Sequence, residues 1–126
     1  MIQNLALDHE DEVFRQFMLM ADSLRTRAKS KRYFTRIVES QAEKPAKQSA
    51  LLALIMVAYW DKDFIQSEQY CKQLIKLDTY SKYSLFALSL MYEMNKRMGK
   101  QHTLSAISSL MDKINKKILQ IETLKN

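Results

Sequence analysis

Residues 50–60 read ALLALIMVAYW, and no charged residue interrupts the run from Ala50 to Trp60. A helix made from it has no polar face, so other parts of the chain must cover it on every side. The run falls well short of the roughly 20 residues that a bilayer-spanning helix needs. It therefore predicts a central helix of a globular core, from about Ala46 to Trp60. Asp61-Lys62-Asp63 stops it. Asp63 is placed to cap the next helix. Upstream, Glu43-Lys44-Pro45 ends an earlier helix, because the residue before a proline avoids the helical region.

The rest of the chain agrees with a helical reading. Its 126 residues suit one domain. The apolar fraction is 47% and the charged fraction is 27%. Both are close to ordinary globular averages, enough to build a core. The single glycine and single proline exclude turn-rich β architectures, which use many such residues. Apolar stripes of helical period predict about six helices. They run over about Val13–Leu24, Lys31–Gln41, Ala46–Trp60, Phe64–Leu77, Lys82–Arg97 and Thr103 to near the C-terminus. A turn is expected near Lys29 to Lys31. Met98-Gly99-Lys100 gives the clearest stop, since glycine is favoured just past a helix end.

Helix pairs recur at roughly 34 residues, and one unit, Gln48 to Ser81, carries a recognisable pattern. It offers Leu51, Leu54 and Ala58, then Lys62-Asp63-Phe64, Ser67 and Cys71, and finally Leu74, Leu77 and Asp78. One period earlier, Pro45 falls at the closing position. One period later, Leu85, Leu88, Ser89 and Tyr92 fit a first helix, followed by a turn around Gly99 that is longer than the pattern asks. The stretch resembles degenerate tetratricopeptide-like hairpins. It departs from that family at Ile55, where a small residue is usual, and at Thr79, where a proline is usual. The resemblance implies an all-α fold of stacked antiparallel αα-hairpins. Repeat-like hairpins would span 14–99, and a C-terminal capping or coiled-coil-like helix would span 103–125, in one domain of 1–126. It also implies a groove that binds peptides or helices, as in scaffolds, chaperones and adaptors. No polar clamp of the better-known binders is present to carry over.

Catalytic signatures are missing from the sequence. His9 and His102 stand far apart, and neither has a nearby cysteine or second histidine. Zinc-type spacing is therefore lacking. One glycine rules out a glycine-rich phosphate loop. Cys71 lies on an apolar helix face with Leu74 and Ile75, as a small core residue would. No enzyme activity, cofactor or metal is expected. A lone cysteine, no secretory pattern at Met1–Leu7 and no run of spanning length give the expectation of a cytoplasmic protein without a membrane span.

Three sets of residues stand out as binding candidates. Tyr59, Tyr83, Tyr92 and Met94, with Lys82, Lys96 and Arg97, lie on helices expected to line a groove, as does Met20. Tyrosine and methionine suit adaptable contacts, and the cations favour a helix or acidic peptide. Arg25, Arg27, Lys29, Lys31, Arg32 and Arg36 form a basic segment without an acid, interleaved with Tyr33 and Phe34. The net charge is +6. This segment keeps nucleic acid open as a partner that ranks below protein. Leu104, Ile107, Met111, Ile114, Ile118 and Ile121 alternate by three and four, as in a heptad seam. That seam either joins two copies as a homodimer or docks on the chain's own core as a cap.

Overall fold

The computed structural model describes residues 24–125. Among them every regular element is an α-helix. The helices are α1 (Leu24–Glu39), α2 (Lys44–Trp60), α3 (Phe64–Leu77), α4 (Lys82–Arg97) and α5 (Gln101–Lys125). The expected helix over Val13–Leu24 and the candidate Met20 lie outside the described residues. The chain divides into two compact units, one reaching Gln73 and the other beginning at Leu74. The division falls inside α3, so no linker or shift in composition announces it.

In the first unit, α1 packs against α2. The turn expected at Lys29–Lys31 is absent, and α1 continues through it. The physical reason is local. Residues 25–36 hold no glycine or proline, and lysine, arginine and alanine are good helix formers. The helix stops at Glu39, where Ser40 turns its hydroxyl onto the Ile37 carbonyl at 2.7 Å and accepts from the Ala42 N–H at 3.0 Å. Pro45 then opens α2 rather than closing its predecessor. Its fixed φ and missing N–H cost nothing in a first turn.

Helix α2 is apolar all round and buried accordingly. Ala50, Leu51, Ala53, Leu54, Ile55, Val57 and Ala58 are all core residues. Helix α3 approaches it closely. The Ser67 hydroxyl, fully buried, donates to the Ile55 carbonyl at 2.9 Å. Ile55 is large where the repeat pattern has a small residue, and the small partner at this crossing is Ser67 on the facing helix.

In the second unit, α4 packs against α5. Ser81 caps α4, accepting from the Ser84 N–H at 3.3 Å. The Ser81 and Ser84 hydroxyls both donate to the Asp78 carbonyl, at 2.7 and 2.9 Å. Helix α5 begins at Gln101, two residues before the expected start, so Thr103 lies inside its first turn. Its hydroxyl lies 3.0 Å from Oδ1 of the buried Asn95 and 2.8 Å from the Lys100 carbonyl. Asn95 donates from Nδ2 to the Met91 carbonyl at 2.7 Å.

The α2–α3 and α4–α5 turns use the same backbone motif. Lys62 N–H donates to Tyr59 and Asp63 N–H to Ala58, at 3.0 and 2.9 Å. Gly99 N–H donates to Lys96 and Lys100 N–H to Asn95, at 3.1 and 2.8 Å. Both are Schellman endings with the pivotal residue in the left-handed region. Its φ is 60° at Lys62 and 76° at Gly99. The turn at Gly99 is therefore no longer than the one at Lys62. After the first turn, Asp63 caps α3 by accepting from the Gln66 N–H at 3.2 Å.

The shared motif makes opposite predictions for the two pivots. A lysine in the left-handed region costs about 1–2 kcal/mol, partly offset by the extra chain entropy glycine brings. Lys62→Gly should therefore stabilise the protein by roughly 0.5–1 kcal/mol. A Cβ at Gly99 would meet nothing within 4 Å. Gly99→Ala thus carries only the conformational cost and should destabilise by about 1 kcal/mol. Urea unfolding of both variants checks this. Destabilisation by Lys62→Gly would contradict it.

Candidate binding surfaces

Helix α4 positions most of the candidate partner residues. Its buried face is formed by Ser84, Ala87, Leu88, Met91, Met94 and Asn95. Met94 is fully buried, so its side chain has no surface to offer and it leaves the candidate set as a core residue. Tyr83 and Tyr92 are both half-buried, but they do not share a face. Their separation along the unbroken helix is about two and a half turns, which puts them on opposite flanks. Tyr59 belongs to the first unit, where its ring lies 5.6 Å from that of Phe64 at the α2–α3 turn.

Register groups the remaining residues differently. Lys82, Leu85, Ser89, Tyr92 and Lys96 follow steps of three, four, three and four along α4. Such steps keep side chains on one line. Lys82, Ser89 and Lys96 are exposed, and Leu85 and Tyr92 are half-buried. The line thus carries two half-buried apolar side chains, either side of an exposed serine, between two cations. Leu85 was missed by reasoning from residue type, and the three-four spacing is the signal that finds it. Arg97 lies off this line and pairs with Glu93 at 3.2 Å. Both partners are well exposed, where such pairs contribute little.

The basic segment gains order from the continuity of α1. Lys29, Lys31, Arg32 and Arg36 are exposed, and a shallow groove is lined by Lys31, Arg32, Thr35 and Arg36. Tyr33 is 53% exposed, whereas Phe34 is fully buried, and their rings meet edge to face at 5.1 Å. The two aromatics therefore do different jobs. Phe34 anchors α1 in the core, and Tyr33 faces the solvent. Arg25 and Arg27 belong to the earlier turns of the same helix.

The C-terminal seam is used within the chain. Ile107 and Ile114 are buried, while Leu104, Met111, Ile118 and Ile121 are half-buried. Ile118, Ile121 and Glu122 line a small cleft with Tyr80, Ser81 and Lys82. The heptad spacing thus serves an internal hairpin as well as it would serve a coiled coil. Helix α5 has 25 residues and α4 has 16. At the helical rise per residue, α5 is the longer by about 14 Å. Leu119 lies off the seam and is exposed, as is Leu124 near the end of α5.

Burial pushes the Cys71 thiol up to about 12, helped by the nearby Glu68 carboxylate. The fold favours the neutral thiol, so its contribution is intact below the ordinary value of 9.0. Stability is then lost as pH rises through the interval toward 12, because the unfolded chain releases the proton first. Among the described residues, no three His, Cys, Asp or Glu side chains are gathered to hold a metal ion. Among the same residues, no helix is long and apolar enough to cross a membrane.

No protein-family model, no curated protein and no solved structure matches this chain.

The burial of the seam separates two substitutions on α5. Ile114 is 1% exposed and Leu119 is 54% exposed. Ile114→Asp buries an unpaired carboxylate and should cost on the order of 3 kcal/mol or more. Leu119→Asp should stay within about 0.5 kcal/mol of the parent. Chemical denaturation reads both values, with analytical ultracentrifugation alongside. A folded Ile114→Asp protein of half the parent mass would instead make the seam an interface between copies.

Proposed function

We propose that this protein is a small cytoplasmic adaptor, chaperone or regulatory subunit that docks an acidic helix or peptide. The observation that carries this reading is the α4 line Lys82, Leu85, Ser89, Tyr92, Lys96. An interface needs an apolar centre that can be desolvated and a polar rim that sets orientation. Leu85 and Tyr92 supply the first, and the two lysines at its ends supply the second. A tyrosine also gives large contact area for little lost entropy, which is why it recurs at binding hot spots. The two hairpins with matching turns support a repeat-like scaffold of the tetratricopeptide kind, whose helices present such lines in series. A basic nucleic-acid-binding or transcription-regulatory module is the second reading, and it rests on α1 rather than α4.

Capture from an extract of the source cells tests the α4 line. The parent protein should retain an acidic partner at near-equal stoichiometry. Tyr92→Ala combined with Lys96→Glu should weaken that complex by more than about 1 kcal/mol, the usual threshold for an interface residue. Tyr83→Ala, on the opposite flank, should leave it intact. Circular dichroism must show the parent helix content in each variant. Full-strength binding by a folded Tyr92→Ala/Lys96→Glu protein would refute the proposal.

A further inference from the structure

The geometry of α1 points to a second binding surface, independent of α4: a cationic row that holds the phosphodiester backbone of single-stranded nucleic acid. Lys29, Arg32 and Arg36 are spaced by three and four residues on one unbroken helix, and all three are exposed. At the helical turn per residue they fall within roughly 60° of one another, along a row about 10 Å long. Arg25 occupies the same register one turn earlier. The opposite side of the helix carries the buried Ser30 and Phe34.

This row opposes the helix it stands on. Like charges one turn apart destabilise a helix. No acid lies between Leu24 and Val38 to relieve them, and Lys29, Lys31, Arg32 and Arg36 form no ion pair among the described residues. A local cost that the rest of the sequence could easily have removed marks a place shaped by something other than folding. The wider charge distribution reinforces it. Nineteen of the twenty basic residues, but only nine of the fourteen acidic ones, lie from Leu24 onward.

The chemistry of the row selects among polyanions. An anionic membrane would need a free apolar face on the same helix. That face is committed to the core through Phe34. A protein partner would need an apolar centre to desolvate, which the row lacks. Arg32 and Arg36 carry planar forks, which bind phosphate oxygens two at a time. Tyr33, half exposed, sits at the edge of the row. It supplies a face on which a base can stack, and stacking beside a line of cations is how single strands are held without regard to sequence.

Fluorescence anisotropy with the full chain and a labelled oligothymidylate of about 20 nucleotides tests this. With three phosphates neutralised, affinity should fall about twenty-fold between about 50 and 200 mM salt, because a single strand releases about 0.7 counterion per contact. Arg32→Glu/Arg36→Glu should weaken binding more than tenfold, and Arg32→Gln/Arg36→Gln should do so to a lesser degree. Tyr33→Ala should cost about tenfold, within the range for one stacked base. Circular dichroism checks that each variant keeps its helices, and the salt series on the parent stands even if a variant does not fold. The inference is overturned if the oligonucleotide does not bind or if binding is flat with salt. It is also overturned if the folded double variants bind as the parent does. Polyglutamate or phosphatidylserine vesicles that bind more tightly than the oligonucleotide, and lose that binding in folded Arg32→Glu/Arg36→Glu but not in Lys82→Glu/Lys96→Glu, overturn it as well, by assigning the row to an acidic protein or to a membrane.

Discussion

The first unit depends on one constraint: α2 has no side that water can tolerate. Its leucines, Ile55 and Val57 each gain roughly 1.5–3 kcal/mol by leaving water, and only a covered helix realises that gain. Three alanines among them, Ala50, Ala53 and Ala58, allow neighbouring backbones to come near. The hydrogen bond from Ser67 to the Ile55 carbonyl shows how near, since a hydroxyl on Cβ has almost no reach. Phe34 plays the matching part from α1. It is fully buried, and it ties to the core a helix whose other side is crowded with like charges. The cationic face of α1 is thus tolerable only because its apolar face is needed elsewhere.

The connections answer to a shortage of glycine. The chain has one glycine, and among the described residues it reverses direction twice with the Schellman ending, so glycine can serve only one of them. Lys62 accepts a left-handed backbone at the first reversal because both of the motif's hydrogen bonds are made. Serine and threonine hydroxyls complete the ends of the helices. Ser81 and Ser84 converge on the Asp78 carbonyl, and Thr103 meets Asn95.

Much of this was legible in the sequence, for identifiable reasons. The run at residues 50–60, the stop at Gly99, the cap at Asp63 and the burial of Cys71 each rest on one strong local signal. The continuity of α1 was not legible. A dense basic cluster resembles a solvated turn when charge is weighed more heavily than the absence of any helix breaker. Tyr83 and Tyr92 are alike in residue type, but register sets them on opposite flanks of α4. The heptad seam of α5 was visible, but its partner was not. Steps of three and four describe the face of a helix and are silent on whether the covering helix belongs to the same chain.

Native-state hydrogen exchange tests most directly the claim that α2 is the element on which the fold rests. If it is, the amides of Leu51 to Val57 should exchange only by global unfolding and be among the slowest in the protein. Beyond Ile118 in α5, Leu119 and Leu124 are exposed. Amides there should exchange orders of magnitude faster through local fraying. Protection in α2 no greater than at the end of α5 would contradict the account.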